Sequence, residues 1–476
     1  MFLGDLVGYE AVVRAGKAGA PRRGAPRRGA PAGRVHPRPR GAHELTNTRA
    51  RWPGPRLTPT SDSTDHDWYY CAPRIVALMT IALAEAAADH ARVVASAADP
   101  PTLACLPGPT GPRKPAHSMR TMLDLGERFP EVRKIAVLRA NAIGDLIFAL
   151  PALDALRAAY PRAELVLLGQ AWHARFWRGR PGPVDRVVVV PPSRGVNGGE
   201  AQAEDPAELE RFFAAMQAER FDLAVQLHGG GRHSNPFVRR LGARFTIGLR
   251  APDAEPLDRW LPYVYFQPEY VRYLEVVALA GAAPVRLEPR VEVTDVDRAE
   301  AAEVVPSTDR PLVLLHPGAG DPRRRWPVEG FIAVADALTA AGARVGVIGT
   351  GGEQPLVTRI VAGMRDGGLD LCDRLSLGGL AGLMQRARVV VSNDSGPLHL
   401  AFAVGAATVG IFWCFNVFTS SPLTRARHRP FTSWQTCCPV CGASCVDGRC
   451  DHAHTLVAAV PVAAVRDAAL ELLAAT

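Results

Sequence analysis

Short, mostly apolar runs, each followed by a turn and a helical segment, recur along the chain and then begin again. The first series is 135–138, 165–168, 187–190 and 223–227; the second is 312–315, 344–348, 389–391 and 408–412. Runs this short and this apolar suit strands covered on both faces, the condition of a parallel sheet. Helical stretches at 143–160, which reads as amphipathic, and at 328–341, 353–365 and 397–405 supply the crossovers. The expected fold class is therefore α/β, with two doubly wound, Rossmann-like domains at 131–290 and 305–476. An acidic, proline-bounded stretch at 292–311 separates them. In such sheets ligands sit outside the carboxyl ends of the strands, so the turns of both domains should line one cleft.

Composition matters mainly for what precedes this pattern. With 47% hydrophobic and 21% charged residues in 476, the chain is no wholly disordered polymer. No apolar run reaches the ~18 residues of a membrane span. The first 30 residues hold no continuous apolar stretch of the kind a secretory signal needs, so a cytoplasmic location is expected. The net charge of +8 is concentrated at one end. Residues 1–60 carry 12 Lys and Arg against Asp5, Glu10 and Glu44, which leaves a net −1 on the remaining 416. Residues 1–118 are rich in Pro, Gly, Ala and Arg and read as a disordered leader, helical only near 74–98, with Met119 or Met122 as a natural start of the folded part. Its RRGAPRRGAP repeat has no interleaved aromatics for base stacking, so no nucleic-acid partner is expected.

Four strand-to-helix turns carry unusual chemistry. In the first, Gly144 frees backbone for close approach, and Asp145 is either a first-turn acid matched to the helix dipole or a proton acceptor at the cleft. In the second, His316-Pro317-Gly318-Ala319-Gly320 leads into Arg323-Arg324-Arg325, a glycine-rich strand end followed by fixed positive forks suited to phosphate. The third, Gly349-Thr350-Gly351-Gly352-Glu353, is not a GxGxxG; Glu353 is either a ribose ligand or a helix acid. The fourth is Ser392-Asn393-Asp394-Ser395-Gly396-Pro397-Leu398-His399. Pro397 suits the first turn of a helix whose free N–H groups would face the cleft as an anion site. A helix start explains Ser395 and Pro397, but not Asp394 and His399 at the same end.

Five of the nine cysteines fall within 437–450, and Cys438, Cys441, Cys445 and Cys450 approach metal-ligand spacing, with His452 and His454 just beyond. Structural zinc or another thiophilic metal, disulfides, and unligated thiols are the three readings of this segment.

Five segments in order, KIAVLRANAIGDLIFALPALDALRAAYPRAEL (134–165), FDLAVQLHGGGRHS (221–234), LLHPGAGDPRRRWPVEGF (314–331), VIGTGGE (347–353) and VSNDSGPLHLAFAVG (391–405), resemble glycosyltransferase family 9, the ADP-heptose:lipopolysaccharide heptosyltransferases. The resemblance covers about 134–470 and implies a GT-B fold, two Rossmann-like domains facing a cleft. It implies inverting transfer of a heptose or related sugar from an ADP-sugar to a hydroxyl of a glycolipid acceptor such as lipopolysaccharide inner core, with no cofactor required for catalysis. Asp145 matches the general base. His316, Gly318, Arg324, Arg325, Glu353, Asp394, Ser395, Gly396 and His399 fall on the donor side, with Glu353 at the ribose. Arg324 stands where many members have Lys. Gly144, His228, Arg232 and Asn235 are candidates for the acceptor side, although His228 equally suits a hydrogen-bonded core position. Membrane-embedded acceptors imply peripheral contact with the inner membrane. The alternative is a nucleotide-sugar-binding protein or degenerate transferase without turnover.

Overall fold

The computed structural model describes residues 126–199, 201–446 and 450–475. The leader, its helix near 74–98 and both candidate starting methionines lie outside the described residues. Two six-stranded sheets, parallel throughout, form the scaffold. The first contains β1 (Lys134–Leu138), β2 (Glu164–Gly169), β3 (Arg186–Val189), β4 (Leu223–Gln226), β5 (Phe245–Arg250) and β6 (Arg259–Pro262), in the order β3-β2-β1-β4-β5-β6. The second contains β7 (Leu312–His316), β8 (Arg344–Gly349), β9 (Leu369–Cys372), β10 (Val389–Asn393), β11 (Ala407–Trp413) and β12 (His428–Ser433), in the order β9-β8-β7-β10-β11-β12. The two orders are the same doubly wound pattern, and each reverses direction once, between β1 and β4 and between β7 and β10. These switch points are where such sheets open a crevice for ligands.

The eight apolar runs all became strands, and four further strands are present. β5 and β6 extend one edge of the first sheet; β9 and β12 close the two edges of the second. The edge strands β6, β9 and β12 have one neighbour and partial cover, so they tolerate the polar residues that hide them in a sequence; β5 lies between β4 and β6 and is not one of them. β6 alternates half-buried with exposed residues, and β12 accommodates Pro430 because an edge strand can spare an N–H.

The helices are α1 (Ile143–Ala159), α2 (Ala171–Trp177), α3 (Pro206–Ala218), α4 (Ser234–Arg240), α5 (Glu269–Ala278), α6 (Asp295–Val304), α7 (Val328–Ala340), α8 (Gln354–Gly363), α9 (Leu377–Arg386), α10 (Gly396–Ala403), α11 (Cys414–Ser420) and α12 (Val462–Ala474). α1 is not the amphipathic helix expected. It is buried around most of its circumference, because α5 and α10 both pack against it. The stretch 292–311 is likewise more than a linker. It contains α6, which packs on α9, while Arg180 Nη1 reaches Asp297 Oδ2 at 2.6 Å and the Glu292 carbonyl at 2.5 Å. That buried ion pair ties the start of α6 to the first domain.

Candidate active site

The first centre forms where β1 ends and α1 begins. Arg139, the residue after the last strand position, is 1% exposed and is held on several sides. Its Nε donates to the Asp145 carbonyl at 2.9 Å, and its Nη1 to the Leu227 carbonyl beyond β4 at 2.7 Å. Its Nη2 is shared between Asp145 Oδ1 at 3.0 Å and Glu269 Oε2 at 3.2 Å. The Tyr273 ring lies against the guanidinium, 4.8 Å from centroid to Cζ.

Asp145 performs the ordinary helix-start task as well. Its Oδ2 accepts the Ala142 backbone N–H at 3.0 Å, closing the N-terminus of α1. Its ionisation is far from ordinary. Burial raises the carboxyl to about 6, and the Glu269 charge adds to that rise, against the opposing pull of Arg139, the Ala142 N–H and His399. A carboxylate of this strength can take a proton near neutral pH.

The second centre forms where β10 runs into α10. Asp394 is 4% exposed and accepts three hydrogen bonds or charge contacts: Arg324 Nη1 on Oδ2 at 2.9 Å, and His399 Nε2 at 3.1 Å and Ser420 Oγ at 3.0 Å on Oδ1. Burial works against its ionisation, but the bond to His399 and the nearby Arg324 charge hold its carboxyl below the usual range. Arg324 reaches it from a short 3-10 turn, Pro322–Arg324, that Asp321 begins by accepting the Arg323 N–H at 2.9 Å. Arg324 Nε is buried and has no hydrogen-bond partner. Of its neighbours, Arg323 pairs with Asp321 and Arg325 donates to the Ala319 carbonyl at 3.2 Å.

At the end of β7, His316 Nδ1 lies 3.1 Å from Ser395 Oγ, and its Nε2 lies 3.4 Å from Glu353 Oε2. Glu353 also accepts the Thr350 N–H at 2.9 Å. Burial opposes ionisation of Glu353, yet His316 and Thr350 pull its carboxyl down to about 2. Buried Asn393 fixes the intervening loop, donating to the Pro317 carbonyl at 2.7 Å and accepting the Trp326 N–H at 3.1 Å.

The two centres meet head on. A Cβ placed on Gly396 would stand 2.0 Å from Ile143 Cγ2, and one on Gly144 would stand 3.0 Å from His399 Cδ2. The His399 ring packs on Phe148 of α1 at 4.5 Å between centroids. Glycine at 396 is thus a matter of space, since a larger residue there must displace Ile143, while at 144 the His399 ring leaves little room.

The remaining candidates divide. His228 is buried, with its Nδ1 3.5 Å from the Ala140 N–H; burial and the Arg139 charge push its imidazole down to about 3, so it stays neutral. Asn235 donates to the Leu249 and Glu255 carbonyls at 3.1 and 2.7 Å, and exposed Arg232 faces Asp253 at 3.8 Å. Among the described residues, neither makes a hydrogen bond or ion pair with Asp145 or Asp394. Arg139, Glu269 and Ser420 were not anticipated. An arginine directly after an apolar strand was a visible signal for the first; the other two are brought in by tertiary packing alone.

In the cysteine segment, Cys438, Cys441, Cys450 and His452 offer ligand atoms that all lie within 4.8 Å of one another, a group able to hold a metal ion. Spacing alone pointed to Cys445 as the fourth ligand. That thiol is instead buried beside His454, 3.4 Å from its Nε2, and His452 takes the place. The strand of chain that follows is strapped to the arginine turn. Thr455 Oγ1 donates to the Arg323 and Arg325 carbonyls at 3.0 and 2.7 Å, the Leu456 N–H to Arg323 at 2.6 Å, and Trp326 Nε1 to the Val460 carbonyl at 3.1 Å.

Two six-stranded parallel sheets of the same doubly wound order, with buried acids at facing helix starts, define a GT-B architecture. Solved structures agree. A glycosyl transferase family 9 protein from Veillonella parvula superposes with a TM-score of 0.59 at 20% identity, covering 72% of this chain and 97% of its own. The E. coli ADP-heptose lps heptosyltransferase II gives 0.55 at 18%, covering 72% and 98%. Residues 209–436 match the family described as Glycosyltransferase family 9 (heptosyltransferase). Lipopolysaccharide heptosyltransferase 2 of Salmonella typhimurium is 25% identical over 296 residues, 59% of this chain and 82% of that protein. Lipopolysaccharide heptosyltransferase 1 of Pseudomonas aeruginosa is 27% identical over 286, 59% and 78%. Over residues 209–436 in sequence, and in its fold, the chain is similar to glycosyltransferase family 9.

Proposed function

We propose that this protein is an inverting glycosyltransferase that moves heptose from ADP-heptose to a hydroxyl of a glycolipid such as lipopolysaccharide inner core, with Asp145 as general base. The observation that carries the reading is the pairing of a buried, weakly acidic Asp145 at one helix start with a cationic, amide-rich helix start directly opposite. Asp145 accepts the proton of the acceptor hydroxyl; that oxygen forms the new bond at the anomeric carbon as the bond to the diphosphate oxygen breaks. The electron pair leaves with ADP. The developing charge falls near Arg324, whose Nε is unpartnered, and near the free N–H groups of α10 at Ser395 and Gly396. His399 and Asp394 orient one another beside the sugar, His316 and Gly318 shape the loop under the nucleotide, Arg325 adds charge to it, and Glu353 accepts ribose hydroxyls.

On the acceptor side are Gly144 and His228, with Arg232 in the loop after β4 and Asn235 in α4. Phe266, Phe418 and Trp434 are each about half exposed and form a chain of ring contacts of 6.2 and 6.1 Å that begins beside the site, since α11 also carries Ser420. This apolar edge suits a glycolipid and the membrane surface that holds it; among the described residues, no helix is long and apolar enough to cross a membrane. The Cys438, Cys441, Cys450 and His452 group would hold zinc in a structural role, cross-linking the segment that buttresses the arginine turn.

Calorimetry with ADP-, UDP- and GDP-sugars, followed by ADP release in the presence of heptose-free lipopolysaccharide, tests this reading. Selective ADP-heptose binding with acceptor-dependent ADP release is the expected result. Preference for another nucleotide overturns the donor, and tight binding without turnover favours a sugar-nucleotide-binding protein instead.

A further inference from the structure

Beneath Asp145 lies a second buried acid that the transfer mechanism does not use. Glu269, the first residue of α5, is 2% exposed, and its Oε2 takes a share of the same Arg139 Nη2 that serves Asp145. The same oxygen accepts the Tyr273 hydroxyl at 2.9 Å, and Arg272 Nη1 stands 3.7 Å from Oε1. One guanidinium therefore answers to two carboxylates from different elements, 130 residues apart in sequence for the Glu269 pair.

We propose that Glu269 is a positioning residue for glycosyl transfer: by sharing Arg139 with Asp145, it keeps Asp145 basic enough to accept the proton of the attacking hydroxyl. The inference rests on the base role of Asp145. The physical argument is one of competing charges. A buried carboxylate facing an arginine alone is ordinarily held in its ionised, weakly basic form. A second negative charge on the same guanidinium offsets that pull without removing the hydrogen bonds that aim the side chain. The charged and titratable groups around Asp145 are Arg139 from the β1 turn, Glu269 and Tyr273 from α5, and His399 from α10. Around Glu269 they are Arg139, Arg272, Tyr273, Tyr265 and Tyr270. Only Glu269 contributes negative charge to Asp145 from within its own domain among these partners. Burial does most to raise Asp145 despite its direct contact with an arginine, and the Glu269 charge adds to that rise.

The test is Glu269→Gln, which keeps shape and removes charge. The acid limb of the kcat/KM profile, read from ADP release with ADP-heptose and heptose-free lipopolysaccharide, should move to lower pH by about one unit. The activity plateau above it should fall several-fold, as expected of a weaker base. Glu269→Asp keeps the charge and should leave the limb within about 0.3 unit. A purely structural pin between α5 and β1 would lower the melting temperature of Glu269→Gln without moving the limb, and that result overturns the proposal.

A measurement independent of activity accompanies it. In protein labelled with 13C at aspartate carboxyls, the Asp145 resonance is the one missing from Asp145→Asn, and its titration midpoint should fall in Glu269→Gln. Should that variant not fold, the unmutated chain answers the same question. Coupled sites titrate in two steps, whereas a single-step Asp145 curve overturns the coupling. If Asp145→Asn keeps its turnover while the carboxyl midpoint still moves, the base role fails and the electrostatic link stands.

Discussion

Gly318 and Glu353 share one space: a Cβ on Gly318 would stand 1.6 Å from the Glu353 Oε1. Gly318→Ala must therefore expel Glu353 from its place beside His316 and Thr350. The expected outcome is a folded protein whose ADP affinity falls by about tenfold, or ~1.4 kcal/mol, in a calorimetric titration. Unchanged affinity would separate Glu353 from nucleotide binding.

Asp145→Asn preserves the Ala142 cap acceptor and the shape of the site while removing the base. Turnover should fall by about a hundredfold or more, with ADP binding changed by no more than about twofold. Stopped-flow or coupled measurement of ADP release, paired with calorimetry on the same preparation, checks both halves. Near-normal turnover would remove Asp145 from the base role.

The same substitution has a signed effect on stability. The folded state holds the Asp145 proton up to about 6, above the ordinary 3.8. The contribution to stability is full below about 3.8 and is lost as pH rises through 6. Asparagine does not titrate. The melting temperature of Asp145→Asn relative to the parent should therefore climb by a few degrees between pH 5 and pH 8. A difference that stays constant across that interval contradicts a raised Asp145.

Much of this was legible in the sequence, and the omissions have a common cause. The central strands β1, β2, β4, β7, β8, β10 and β11 are covered on both faces and read as apolar runs; the edge strand β3 was visible as well. β5, β6, β9 and β12 are shorter or more polar. His316 ends β7, and Asp145, Glu353, Asp394 and His399 follow within a few residues of a strand end, where chain order itself signals position. Glu269 and Ser420 reach those turns from helices with no such marker. The cysteine spacing suggested Cys445, because a one-dimensional pattern cannot show that Cys445 turns toward His454 and leaves His452 with Cys438, Cys441 and Cys450.

For the cysteine segment, protein purified under reducing conditions should contain about one equivalent of zinc per chain. Cys441→Ser should lower both the zinc content and the melting temperature, while Cys437→Ser should leave zinc content unchanged. Elemental analysis alongside calorimetry decides; a protein free of any bound metal would sink the assignment.

The strap from Thr455 to Val460 also bears on how the protein comes into being. The carbonyls of Arg323 and Arg325 and the indole of Trp326 are satisfied by residues made some 130 positions later. During synthesis, both sheets have left the ribosome before the turn that presents Arg324 acquires these partners. A polypeptide that ends before residue 455 therefore has the residues of both sheets but leaves the turn that presents Arg324 without the partners that secure it in the full chain.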